Sequence, residues 1–357
     1  MKTVQSRFSL LCALLLAVFT LCIPLSAGAE APDVSSLYKA KDVDASWEAS
    51  DVKEIDLSAV TGDLTLSEAG DYLLSGELNG QICVSVSQTE KVRLILNGVT
   101  VNSPSGPAVY EKSADKLTVT LAEGSINTLT DAAAIQADGD TVAAALYAED
   151  DLTLNGSGTL NVKGTVKHGI QSKADLIVAG GILKISAAGD GLRGRNSVLI
   201  LGGDLEIVSQ GDGITSTRDN KDEKGWVLLQ DGTVNITSGA GAGDPTDPES
   251  PISLGLRKKK ASSADSPSRK GIKAAKELFI LGGTLTLDCE DDALHASDIT
   301  VSGGTAELSS GDDALHADRT LTVTGGSIRV LICLEGLDSL NTAVSGGEIS
   351  IHRPAEP

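Results

Sequence analysis

The hexapeptide DDALHA stands at Asp291–Ala296 and again at Asp312–Ala317, 21 residues further on. Looser copies read HGIQS (His168–Ser172), DGLRG (Asp190–Gly194), DGITS (Asp212–Ser216), KGIKA (Lys270–Ala274) and EGLDS (Glu335–Ser339). The first residues of HGIQS, DGLRG, DGITS, KGIKA, the two DALHA copies and EGLDS step by 22, 22, 58, 22, 21 and 22. Gly pairs that open short β-type runs keep the same time, at Gly180, Gly202, Gly282, Gly303, Gly325 and Gly346. A chain that repeats at such a period builds its core by stacking units on one another.

Alternation decides what the units are. "LTLNGSGTLNV" (Leu152–Val162) and "GGTLTLDCE" (Gly282–Glu290) place an apolar residue at every second position, so one face of each strand turns inward. Two or three such segments per repeat, joined at Gly turns, predict an all-β parallel β-helix, a solenoid of 21–22 residues per coil. A leucine-rich repeat has a similar period, but it needs a helix or an Asn/Cys ladder, and neither is present. "KVRLILNGVTV", "KLTVTLAEGSINTLTD" and "DLTLNGSGTLNV" extend the same strand–turn–strand units toward the N-terminus. The solenoid is therefore expected from near Asp51 to Ile351. Residues 239–269, rich in Pro, Ser and charge, interrupt it as a surface loop or disordered insert. The basic cluster Arg257–Lys260 in this insert reads as a solvated loop or as a segment folded onto the acidic wall.

Stacking explains an unusual composition. Aromatic residues make up only 3% of the chain, against 39 glycines, so the core must be built from Val, Ile, Leu and Ala. A basic start (Lys2, Arg7), an apolar run from Phe8 to Leu25 and the small residues Ser26–Ala29 read as a secretory signal over residues 1–29. A retained membrane anchor and a lipoprotein are the alternatives. Pro24 and the short run argue against the first, and the absence of a small residue before Cys12 or Cys22 against the second. Without the signal, a net charge of -20 becomes about -22, which excludes nucleic-acid binding by counterion release. No membrane contact is expected after cleavage, and the protein is expected outside the cell. Cys83, Cys289 and Cys333 form no disulfide framework and read as small buried hydrophobes.

Equivalent positions in a solenoid lie about 4.8 Å apart. The first motif position therefore becomes a column of His168, Asp190, Asp212, Lys270, Asp292, Asp313 and Glu335. Asp291 lies beside Asp312 one residue earlier, so Asp291, Asp292, Asp312 and Asp313 are expected to form a square of carboxylates. Like charges about 5 Å apart repel by about 3 kcal/mol at an effective dielectric near 20, so the cluster should take up protons or a cation. Calcium, with oxygen ligands at about 2.3–2.6 Å, suits that spacing better than zinc, because the ligands offered are mostly oxygens and the histidines add only a minor term, and Asp190 and Asp212 are candidate ligands beside the four. The bland reading is a solvated acidic turn, or an Asp that stabilises its own turn. The outward position forms a second ladder: Tyr110, Tyr147, Gln171, Arg193, Thr215, Lys273, His295, His316 and Asp338. Of these, Tyr110, Tyr147, Arg193, Lys273, His295 and His316 are candidates to stack on sugars or bond their hydroxyls and carboxylates. A mixed, solvated ladder with no ligand is the alternative.

With these segments in view, the chain resembles the secreted bacterial carbohydrate-binding β-helix proteins, themselves similar in fold to family 9 pectate lyases. "AGDYLLSGELNGQICVSV", "KVRLILNGVTVNSPSGPAVYEKSADKLTVTLAEGSINTLTD" and "EDDLTLNGSGTLNV" are similar to the family's first coils. "KHGIQSKADLIVAGG", "GDGLRGRNSVLILGGDLEI" and "GDGITSTRD" look like its middle ones. The resemblance implies a right-handed solenoid with bound calcium and a polysaccharide partner, cellulose-like or pectin-like. The implied domain order is signal 1–29, linker or cap 30–50, and carbohydrate-binding β-helix 51–357. Family members usually continue into further Asp- and Gly-rich coils, so this C-terminal edge is expected to be open and to invite self-association. Binding without turnover is the expected activity, because a lysine among aspartates keeps its proton unless a cation offsets them. A calcium-dependent lyase, with Lys273 as base, and an adhesive or structural surface solenoid are the alternatives.

Overall fold

The computed structural model describes residues 33–137, 139–221, 223–243 and 268–352. The signal segment and the basic cluster Arg257–Lys260 lie outside these residues. The described chain is a parallel β-helix. Its strands form one 29-stranded sheet wound into three faces, with every pairing in that sheet parallel. A single antiparallel pair, Ile135–Ala137 with Asp140–Val142, stands apart from it among the described residues.

The first face carries the motif strands, among them His168–Ser172, Leu192–Gly194, Ile214–Ser216 and Ile272–Lys273. Ile170 pairs with Leu192, Leu192 with Ile214, Ile214 with Ile272, Ile272 with Leu294, and Leu294 with Leu315. The pairing reproduces the sequence steps, and the 58-residue step spans one rung like the others. The second face includes Asp151–Gly156, Asp175–Val178 and Ser197–Ile200, and the third Thr159–Gly164, Ile182–Ala187 and Asp204–Ser209. On the third face alternate residues are buried and exposed, as the period-two pattern requires.

The three inward columns merge into one aliphatic core running the length of the solenoid. Residues 33–50 lie along the second face, where Val34, Leu37 and Tyr38 pack on the outward column Ile177, Leu199, Leu228 and Phe279. Asp42 pins this strap by an ion pair of 2.5 Å with Lys116, and its backbone carbonyl accepts a bond from Asn155. At the other end, Glu335–Val344 and Glu348–Ile351 pair on one side only among the described residues, and Leu340, Val344 and Ile351 are exposed. Cys289 is buried as expected, whereas Cys83 and Cys333 are only half-buried, and none of the three is in a disulfide.

Candidate functional site

The corner leading from the third face into the first carries the acid column. Asp190, Asp212, Asp292 and Asp313 are all buried there. Most of them bond along the column. Asp212 N–H donates to Asp190 Oδ1 at 3.0 Å, Lys270 N–H to Asp212 Oδ1 at 2.9 Å, and Asp313 N–H to Asp292 Oδ1 at 3.2 Å. Each carboxylate thus satisfies an amide of the next rung that the turn leaves without a ladder partner. Gly211 makes room for one of them, since a Cβ there would stand 2.5 Å from Asp190 Oδ1. Lys270 breaks the series, having no acceptor to offer. Its ammonium instead reaches Asp291 at 2.9 Å and Asp292 at 2.6 Å.

Beside the upstream half of this column lies a groove of about 600 Å³, lined by Lys167, His168, Asp190, Arg193, Asp212, Thr215, Ser268 and Lys273 among others. The outward ladder supplies two of its cations in register, Arg193 opposite Thr215 and Thr215 opposite Lys273. Arg193 holds Asp190 at 2.6 Å, and Lys273 stands 3.8 Å from Asp212 Oδ2 and 3.3 Å from Ser268 Oγ. Burial works against the Asp190 charge, but the His168 ring and the Arg193 guanidinium outweigh it and hold the carboxyl well below its usual range. Burial pushes Asp212 up, with Lys273 opposing. Burial also lowers His168, whose Nδ1 accepts the Asp190 N–H at 3.1 Å. Asp190 and Asp212, expected as calcium ligands, are thus engaged by protein cations and amides. Neither joins a cluster of three potential metal ligands among the described residues.

The square of four carboxylates does not form. Asp291, Asp292 and Asp312 converge, with one oxygen of each inside a span of 4.8 Å, but Asp313 turns away to meet His316 Nδ1 at 2.9 Å. His316 projects outward three residues after Asp313, and the same contact recurs one rung earlier between His295 and Asp292, also at 2.9 Å. Burial opposes the Asp292 charge, yet His295 and Lys270 hold that carboxyl far below its usual range. Burial and the neighbouring Asp313, Asp292 and Asp291 push Asp312 up to about 6. One buried oxygen of Asp312, Oδ1, has no hydrogen-bond partner. Three hard oxygen donors around such an atom fit a calcium ion, provided Lys270 withdraws.

The outward ladder has the expected register from Tyr110 to Asp338. Tyr110 and Tyr147, however, are not sugar platforms in this structure. They meet edge to face with ring centroids 5.7 Å apart, and the antiparallel hairpin covers them through Ile135, Ala137 and Val142. Their exposures of 5% and 1% leave no ring face for a ligand. The Asp-Gly step at 138–139 is the sequence signal for that hairpin. Glu111 follows Tyr110 on the strand Val109–Ser113 and stands outside both candidate ladders. It occupies an inward position opposite Val84 and Ala148 and is fully buried.

Comparisons with known proteins extend this picture. A family model described as carbohydrate-binding domain-containing protein matches residues 61–314. A protein of that description from Acetivibrio thermocellus is 33% identical over 135 residues, 37% of this chain and 47% of the relative. The match thus spans about half the length of that relative. In fold, the chain is similar to a polysaccharide lyase-like protein from C. thermocellum, solved as a gadolinium derivative. The TM-score is 0.51 and the identity 23%, over 84% of this chain and 99% of that one.

Proposed function

Since the chain belongs to the carbohydrate-binding domain family, we propose that it is a secreted protein that binds a polysaccharide along the Arg193–Lys273 groove without cleaving it. The observation that carries this reading is the groove itself. It sets two cations one rung either side of Thr215, beside buried acids, on a body of net charge -20. In so acidic a protein, a local pair of cations is the feature that favours a uronate carboxylate. Stacking on tyrosine, the route open to a neutral glucan, is closed by the hairpin. The binding test is retention on polygalacturonate. Arg193→Ala with Lys273→Ala should weaken it at least tenfold at low salt, and raised salt should weaken the parent too. Retention unchanged by the double substitution would remove the groove from the reading.

The absence of turnover rests on Lys273, whose ammonium stands in an ion pair with Asp212 rather than poised as a base. A lyase is the second reading, favoured by a lysine, Lys273, that lines the groove itself. Calcium-dependent release of unsaturated uronides, lost in Lys273→Ala, would establish it.

Calcium belongs to the proposal at Asp291, Asp292 and Asp312. Bound there, the ion would neutralise the carboxylates and satisfy Asp312 Oδ1, with Lys270 displaced toward solvent. Calcium should then raise the melting temperature by a few degrees and a chelator reverse it. Asp291→Asn with Asp312→Asn should remove most of that response, and an unaltered response would place the ion elsewhere.

A further inference from the structure

Downstream of Lys273 the outward ladder changes its chemistry. His295, His316 and Asp338 follow in consecutive register, and the two imidazoles pack with centroids 4.8 Å apart at a tilt of 41°. Both rings lean over one oxygen. His295 Nδ1 lies 2.9 Å from Asp292 Oδ2, and His316 Nδ1 lies 3.9 Å from that same atom. The three ligand atoms fall within 4.8 Å of one another. In a tetrahedral site with metal–ligand bonds of about 2.0–2.2 Å, ligand atoms sit roughly 3.3–3.6 Å apart. The two observed separations straddle that value, so small side-chain rotations bring all three atoms onto one ion.

Access and support are also present. The His295 and His316 side chains are 19% and 23% exposed, whereas Asp292 is 3% exposed and fixed by the Asp313 amide. Asp313 at 2.9 Å and Asp338 at 3.8 Å share His316 Nδ1 and yield it when the metal binds, while the second nitrogen, Nε2, stands 3.7 Å from Asp318 Oδ1. A carboxylate on the second nitrogen of a ligand imidazole orients the ring and raises its donor strength.

We propose that Asp292, His295 and His316 form a binding site for a divalent transition-metal ion of the zinc class, with its fourth position open to water or an incoming ligand. Two imidazole nitrogens select zinc, cobalt or nickel over calcium, which takes oxygen ligands. The site is therefore chemically separate from the carboxylate cluster, although both use Asp292. To ligate, each imidazole nitrogen must be free of its proton, which sits on the other ring nitrogen or leaves to the buffer. With no calcium bound, Lys270 gives up its 2.6 Å contact to that same Asp292 oxygen and keeps Asp291 at 2.9 Å.

The test uses the full mature chain, free of any histidine tag, titrated with cobalt in calcium-free buffer. The expected result is a saturable visible absorption band at one ion per chain, bleached by zinc. His295→Gln and His316→Gln should each weaken cobalt binding at least tenfold, and the pair should abolish the band, while His352→Gln leaves it unchanged. Far-ultraviolet circular dichroism checks that the variants are folded. The unaltered protein gives a second readout, since zinc should shift the imidazole resonances of two of its four histidines. No cobalt band, a band that persists in the folded double variant, or zinc shifts on any other pair would overturn the proposal.

Discussion

Asp292→Ala should be the most destabilising single substitution in the acid column, costing about 3–5 kcal/mol. The side chain is 3% exposed and serves three partners at once: the Asp313 amide, the Lys270 ammonium and His295. Truncation leaves the amide without its acceptor and strands a lysine whose side chain is only 12% exposed. For a chain of this size the melting temperature should fall by roughly 5–10 °C. Asp291→Ala is the control. Its side chain is 31% exposed and it shares the same lysine, so its loss should cost about 1 kcal/mol or less. Adding Lys270→Met to the Asp292 variant should restore part of the loss, because the uncompensated buried charge goes with it. Equal effects of the two Asp substitutions in thermal melts would show that the column carries no special stability.

The second large effect runs the other way. Glu111 is fully buried, and burial pushes its carboxyl up to about 7 from an ordinary value of 4.5. One of its oxygens accepts the Asp150 N–H at 3.1 Å, and the other has no hydrogen-bond partner. Below pH 4.5 the group is protonated in both folded and unfolded chains and costs nothing. As pH rises, the unfolded carboxyl ionises first, so stability drains away until the folded group ionises near 7 and the loss levels off. Each pH unit between those two ionisations is worth about 1.4 kcal/mol, so the full penalty at pH 8 is on the order of 3 kcal/mol. Glu111→Gln keeps a neutral acceptor for the Asp150 amide and removes the titration. It should raise the melting temperature by about 5 °C at pH 8 and change it little at pH 4. Asp312, raised to about 6, acts in the same direction, so some slope should survive in the variant. A variant less stable than the parent at pH 8 would show that the buried charge is compensated.

How much of this was legible beforehand depends on periodicity. The rung steps and the order of the outward ladder follow from spacing alone, because parallel stacking converts sequence distance into a neighbour relation, whereas alternation left two or three inward columns open. Pairings such as Ile214 with Ile272 needed no side-chain geometry to foresee. What spacing cannot convey is where a side chain turns within its rung. Asp312 and Asp313 are adjacent in sequence, yet one joins the carboxylate cluster and the other turns to His316. Nor does spacing reveal what lies over a column. Tyr110 and Tyr147 hold their expected positions but are covered by a hairpin outside the repeat, and the second face is covered by the strap at residues 33–50. Glu111 does carry a signal in the sequence: in "AVYEKS" an acid stands where the alternation calls for an apolar residue.

The 58-residue step is the feature with the widest reach. Ser209 pairs with Ser238 and Ser238 with Cys289, while Thr215 pairs with Lys273, so the rungs on either side of the insert stack as if it were absent. Chain length and solenoid length are therefore independent quantities at this corner. Evolution can change the length of the segment between Gly243 and Ser268 without altering these rung pairings. Because the segment returns at Ser268, on the lip of the groove beside Lys273, such changes fall where they can reshape the groove entrance while the stacked frame beneath is inherited intact. The same corner is a natural splice point for grafting a foreign recognition loop onto the solenoid.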